Sequence, residues 1–186
     1  MLKKMSIGLF LILVIALAAC SATGGAKPAG EAGSEGSVEA ALVTYSDAAQ
    51  GFSIGYPNNW TQDTTFTKGV RFAGDDSSMT LEFVTPPAGT DAMAYAQNDV
   101  AAVSAAFPGF NQLSLAASTE VKNAIILGYN ATGTSTITSK TFTAHDERYY
   151  MPLADGRIAI LTVATPDNLY DREGVRDIAL TFKLTK

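Results

Sequence analysis

Cysteine is almost missing from this chain: Cys20 is the only one in 186 residues, so no intrachain disulfide can form and the fold must rest on its core. Histidine is equally scarce, with His145 alone. A zinc site normally takes three or four ligands, so one histidine and one thiol argue against a resident metal, and no cofactor is expected. Clustered lysine and arginine are also lacking, and the formal net charge is -5, which excludes the nucleic-acid binders. There is no apolar run of spanning length. Residues 7–19 make an uncharged stretch of about thirteen residues, short of the ~20 that a membrane-crossing helix needs. No glycine-rich loop precedes a helix to cradle a phosphate. The length suits one domain of ordinary size.

What is present begins at the N-terminus. Lys3 and Lys4 precede the short apolar core, and Leu17-Ala18-Ala19-Cys20 closes it, the pattern of a secretory signal with small residues before a cut. Leu17, Ala18, Ala19 and Cys20 resemble a bacterial lipobox, which implies cleavage before Cys20 and acylation of its thiol. The competing reading is an uncleaved anchor with Cys20 as a small buried hydrophobe. Acylation accounts better for a lone thiol in an exported chain, because an oxidising compartment makes a spare thiol a liability. The expected location is the outer face of a bacterial cytoplasmic membrane, or the outer membrane in a two-membrane cell. Cleavage removes Lys3 and Lys4 and no acid, leaving 11 basic and 18 acidic residues and a formal charge of -7. Such a body is not drawn to anionic headgroups, so acyl chains on Cys20, palmitate among them, must hold it. Each buried methylene contributes about 0.8 kcal/mol, and two or more chains hold stably.

Residues 21–37 contain glycine, alanine, serine, proline, threonine, lysine and glutamate, with no aromatic or branched apolar side chain. Nothing there repays the entropy of ordering, so residues 20–40 are expected to be a lipidated spacer with a reach of roughly 25 Å. A single domain is expected over residues 41–186.

Within that domain, residues 42–46 form a first strand and Phe52, Ile54 and Tyr56 alternate with Ser53 and Gly55, the period of a half-buried strand. Residues 70–73 and 79–85 suggest a hairpin around Gly74-Asp75-Asp76-Ser77-Ser78. Thr90 is the expected N-cap of a helix, Asp91 favours the positive end of its dipole, and Pro108-Gly109 ends it. Met93, Ala96, Val100, Val103 and Phe107 make its apolar stripe. Extended segments follow at residues 111–117, 125–132 and 136–151. Ala154-Asp155-Gly156 turns the chain into residues 157–165, whose centre is apolar on both faces and belongs in the middle of a sheet. A second helix is expected from Asp167 to Leu180, with Leu169, Val175, Ile178 and Phe182 inward. The order predicts an α+β fold, a central antiparallel sheet covered by helices on both sides.

Gly51-Phe52-Ser53-Ile54-Gly55-Tyr56-Pro57-Asn58-Asn59-Trp60 resembles the opening of PsbP-like domains, where a Gly-Phe strand enters a Tyr-Pro-x-x-Trp turn. Residues 177–182 resemble the closing helix of that PsbP/DcrB-type superfamily. The resemblance spans residues 42–186. It implies an α/β/α sandwich in an extrinsic, often lipid-anchored protein without enzymatic activity. The founding members assist photosystem II, and DcrB-type relatives occur in non-photosynthetic bacteria. No photosystem-docking or ion-retention motif is matched.

Two catalytic patterns need weighing. Gly51-Phe52-Ser53-Ile54-Gly55 fits G-x-S-x-G, but a nucleophile elbow needs a strand, a sharp turn and a helix, whereas Ser53 sits inside a strand. His145, Asp146 and Glu147 invite a metal reading. On a strand, His145 and Glu147 share one face and Asp146 points away, so the segment is expected to be a charged, solvent-facing one and His145 and Glu147 are weak metal candidates. Asp75-Asp76 lacks the spaced ligands of a calcium loop. The expectation is a non-catalytic envelope protein that binds a partner protein or a small ligand; the alternative is a small lipid-anchored hydrolase using Ser53 or His145.

Overall fold

The structure is a computed structural model that describes residues 41–170 and 175–185; Leu17, Ala18, Ala19 and Cys20 lie outside the described residues. In chain order these residues form β1 (Leu42–Asp47), β2 (Phe52–Pro57), β3 (Thr61–Gln62), β4 (Gly69–Ala73), β5 (Ser78–Val84), α1 (Ala92–Ala106) and β6 (Asn111–Ala117). Then come β7 (Ile125–Thr134), β8 (Thr141–Pro152), β9 (Ile158–Pro166), a 3-10 turn (Asp167–Leu169), α2 (Val175–Leu180) and β10 (Lys183–Leu184). The large sheet runs β3-β4-β5-β9-β8-β7-β6, and a small one runs β1-β2-β10. All pairings are antiparallel, because hairpin turns join most neighbours.

Strand β9 sits near the middle, between β5 and β8, as its two-sided apolar pattern requires. Alternation divides it between two cores. Ala159, Leu161 and Val163 face one cluster with Phe52, Ile54, Phe72 and Ile178. Ile158 and Ile160 face the other, with Ala96 and Val103 of α1 and Leu127, Tyr129 and Tyr150. Layers therefore lie on both faces of the large sheet, and their composition differs from the expectation. Helix α1 covers one face, but the other is covered mainly by the small sheet, with the six-residue α2 beside it. Helices alone do not cover the sheet. Ring contacts join the layers: Tyr56 stacks on Phe72 at 3.9 Å, and Phe52 lies 5.2 Å from Phe83.

The second helix is shorter than the pattern suggested. Asp167–Leu169 is a 3-10 turn and α2 spans only Val175–Leu180; residues 171–174, with Gly174, lie outside the described residues. Ile178 is fully buried and Leu169 and Phe182 are half-buried, while the Val175 side chain is not among those described. Phe182 follows α2 instead of ending it, and β10 returns to pair with β2. At α1 the cap is Asp91, not Thr90: its carboxylate accepts the Ala94 N–H at 2.8 Å. Phe107, at the end of the expected stripe, is 40% exposed because it already lies in extended backbone at the C-cap.

Trp60, the only tryptophan, is 7% exposed within the first cluster. Gly74 makes room for it, since a Cβ there would stand 2.6 Å from the indole. Gly156 occupies the β8–β9 turn at φ 84°, a conformation that side chains resist. That turn places Leu153 and Arg157 at one end of the large sheet.

Candidate functional site

Strand β8 carries the polar side chains of the sheet, and its period of two sorts them onto opposite faces. His145, Glu147 and Tyr149 face the small-sheet side. Asp146, Arg148 and Tyr150 face α1. The expected face-sharing of His145 and Glu147 is correct, but the expectation of a solvent-facing segment is not. Glu147 is 9% exposed and Asp146 only 2%, because strands flank β8 on both sides and layers cover both faces.

Glu147 accepts hydrogen bonds from two phenols: Tyr149 reaches Oε2 and Tyr170, just past the 3-10 turn, reaches Oε1. His145 lies against Tyr170 with ring centroids 3.8 Å apart, and its Nδ1 is 3.7 Å from the Asp167 carboxylate. Asn130, directly across from His145 on β7, has a buried Oδ1 without a partner among the described residues. Both Glu147 oxygens are thus engaged by the protein's own hydroxyls. Among the described residues, no group of three or more His, Cys, Asp or Glu is gathered closely enough to hold a metal ion. Asp75 and Asp76 serve as a strut: Thr136 donates its N–H to Asp76 at 2.9 Å and its hydroxyl to the Asp75 carbonyl at 2.8 Å.

On the α1 side, Arg148 donates from Nε to Asp99 at 2.9 Å and from a terminal nitrogen to Thr162 at 2.7 Å. Tyr150 donates to the same Asp99 oxygen at 2.9 Å. Burial opposes the Arg148 charge, yet the Asp99 carboxylate outweighs it and the guanidinium is held above its ordinary range. Desolvation pushes Asp146 up to about 7 and drives the buried phenol of Tyr129, which faces it across the ladder, upward as well. The Tyr129 hydroxyl is buried without a partner among the described residues. Sequence reasoning missed Asp99 and Arg148. The signal was available, because Asp99 lies three residues after Ala96 and four before Val103, on the inward side of the stripe.

Ser53 lies within β2, paired with Ser46 on one side and Lys183 on the other. It belongs to the small sheet, whereas His145 belongs to the large one, and among the described residues no hydrogen bond joins them. No sharp turn or helix follows Ser53 directly; the strand continues to Pro57.

Among the described residues, two clefts lie on either side of the β8–β9 turn. One cleft of about 420 Å³ is bordered by Pro86, Met93 at the start of α1, Ile125, Leu153 and Arg157. The other, of about 370 Å³, is bordered by Val121, Met151, Leu153, Leu180, Phe182 and Leu184. Pro152 and Leu153 border both, and Leu180 and Leu184 are half exposed, at 50% and 44%. Among the described residues no helix is long and apolar enough to cross a membrane.

The layer order defines a PsbP-like fold, the class that the Gly-Phe strand and Tyr-Pro-x-x-Trp turn had suggested. Two solved structures illustrate it. Cyanobacterial PsbP (CyanoP) from Synechocystis sp. PCC 6803 matches with a TM-score of 0.52 and 18% identity, over 83% of this chain and 98% of that one. The Saccharomyces cerevisiae Ran-binding protein Mog1p matches with a TM-score of 0.55 and 8% identity, over 78% of this chain and 96% of that one. At such identities the likeness shows the fold alone. No family model and no curated protein matches the sequence.

Proposed function

We propose that this chain is a non-catalytic accessory protein of the bacterial envelope, lipidated on Cys20 and exported to the outer face of a membrane, whose PsbP-like domain binds a partner protein. The observation that carries the reading is how the polar groups are used. Glu147 is taken up by Tyr149 and Tyr170, and Asp99 by Arg148 and Tyr150, while the two clefts beside Leu153 set apolar walls among rim charges, Asp91 and Arg157 at one and Glu120 and Lys122 at the other. A site built for catalysis presents groups to a substrate; here they hold layers together. Open clefts joined at one turn, apolar within and charged at the rim, suit an extended segment of another protein. The Ran-binding Mog1p, with the same fold, supports a protein partner as a class of ligand.

The full chain in its own membrane tests this, with a photoactivatable side chain in place of Leu153 and metabolic labelling with palmitate. The expected result is a labelled protein crosslinked to an envelope protein, with label lost in Cys20→Ser and the precursor uncleaved. Label retained in Cys20→Ser would refute the anchor. A Leu153 probe that captures no protein, while probes at buried positions confirm the fold, would refute the partner site.

A further inference from the structure

We propose that the outer edge of β6 is a self-association surface, pairing antiparallel with β6 of a second copy across a two-fold axis and joining two large sheets into one. The sheet order sets the problem. Among the described residues, strand β6 ends the large sheet and bonds only to β7, so its outer backbone groups have no ladder partner there. The opposite edge of that sheet is β3, two residues long. In the small sheet one edge is β10, also two residues, and the other is β1, which carries Asp47. Short strands, charges and prolines are the usual means of blunting an edge. Strand β6 has seven residues, Asn-Gln-Leu-Ser-Leu-Ala-Ala, with neither charge nor proline.

The neutrality extends well beyond the strand. Residues 100–119, twenty in a row between Asp99 and Glu120, carry no charged side chain, although 17% of the chain is charged. They form the last part of α1, the connection and β6. Ala101, Ala102, Ala105 and Ala106 are exposed there, Phe107 is 40% exposed and Leu113 is 50% exposed. Leu113 is the extra residue of a bulge between Gln112 and Ser114, so the regular part of the edge is residues 114–117.

A second copy fits this edge better than a foreign strand. In a two-fold antiparallel pair, residues near the axis face themselves or their close neighbours, so a charge there meets a like charge and opposes pairing. Complementary charge, available to a foreign strand, is denied to self-pairing. The condition self-pairing imposes is an uncharged edge beside an uncharged face; an acidic protein whose formal charge is -5 meets it over all seven residues here, whereas β1, the other described edge of comparable length, ends in Asp47.

The mass of the full chain in detergent, measured by sedimentation, tests the inference. Ala116 and Ser114 are exposed and tolerate substitution without disturbing either core. Wild type should have the mass of a dimer. Ala116→Lys alone and Ala116→Glu alone should each halve it, and an equal mixture of the two should restore the dimer, because opposite charges then meet. Thr61→Lys, on the exposed two-residue edge at the other side, should leave the dimer intact. Ser114→Lys and Ser114→Glu repeat the exchange should circular dichroism show either Ala116 variant unfolded. A monomeric wild type, a dimer that persists in Ala116→Lys, or folded opposite-charge variants that fail to pair would overturn the proposal.

Discussion

Asp146 bears an electrostatic cost of burial. It is 2% exposed, and desolvation raises its pKa to about 7 from an ordinary 3.8. A carboxyl whose folded pKa lies above its unfolded one binds its proton more tightly in the folded state. It therefore costs nothing below pH 3.8, costs progressively more as pH rises to about 7, and costs the full amount above that. Asp146→Asn should stabilise the protein at pH 8 by up to ~4 kcal/mol, since each tenfold change in proton affinity corresponds to about 1.4 kcal/mol, and by almost nothing at pH 3.5. Denaturant titrations at both pH values, followed by Trp60 fluorescence, measure the difference. An equal gain at the two pH values would show that packing, not ionisation, separates Asn from Asp.

At the scale of elements, α1 is joined to the sheet by packing and by hydrogen bonds to its Asp99 carboxylate. Ala96 and Val103 rest on the core, and Asp99 between them holds Arg148 and Tyr150. Both members of the Asp99–Arg148 pair keep only 16% of their side-chain surface exposed. Asp99→Ala should cost about 3–5 kcal/mol, because it strands a buried guanidinium. The double substitution Asp99→Leu with Arg148→Met should recover most of that loss, since removing both charges removes the stranded one. Denaturant midpoints of the single and double variants are the measurement. The periodicity of α1 was readable in the sequence, and so was the central place of β9. The cap was displaced by one residue because Thr90 and Asp91 are both cap formers, and only the geometry chooses between them. Of the second helix expected over residues 167–180, the end at Leu180 is as expected, whereas Asp167–Leu169 form a 3-10 turn and residues 171–174 lie outside the described residues.

For the whole molecule, two apolar clusters on opposite faces of one sheet provide the stabilising burial, with no disulfide possible. Residues 41–186 expressed alone should fold and melt cooperatively, and a chelator should leave the midpoint unchanged. A large drop in melting temperature on chelation would direct attention to His145, Glu147 and the Asp75-Asp76 turn. A chain that folds only with residues 20–40 attached would mean that the spacer contributes to the core.

Local pattern and composition determined much of this by themselves. Alternation of apolar and polar residues placed β2, β7 and β9, because strand geometry turns side chains to opposite faces regardless of context. The spacing of Ala96, Val100 and Val103 placed α1, and the short motif from Gly51 to Trp60 indicated the fold. The same period of two put His145 and Glu147 on one face. What local pattern does not contain is what lies over a face. Whether Asp146 and Glu147 meet water or a covering layer depends on β7, β9, α1 and the small sheet, which reach β8 from distant parts of the chain. The covering of the second face, by three strands and a short helix, was likewise decided by the return of β10 to β2. The clefts around Leu153 arise only where α1, β7, α2 and the β8–β9 turn converge. Burial is a property of the assembled layers, and so only the tertiary structure could turn a charged segment of β8 into an internal brace.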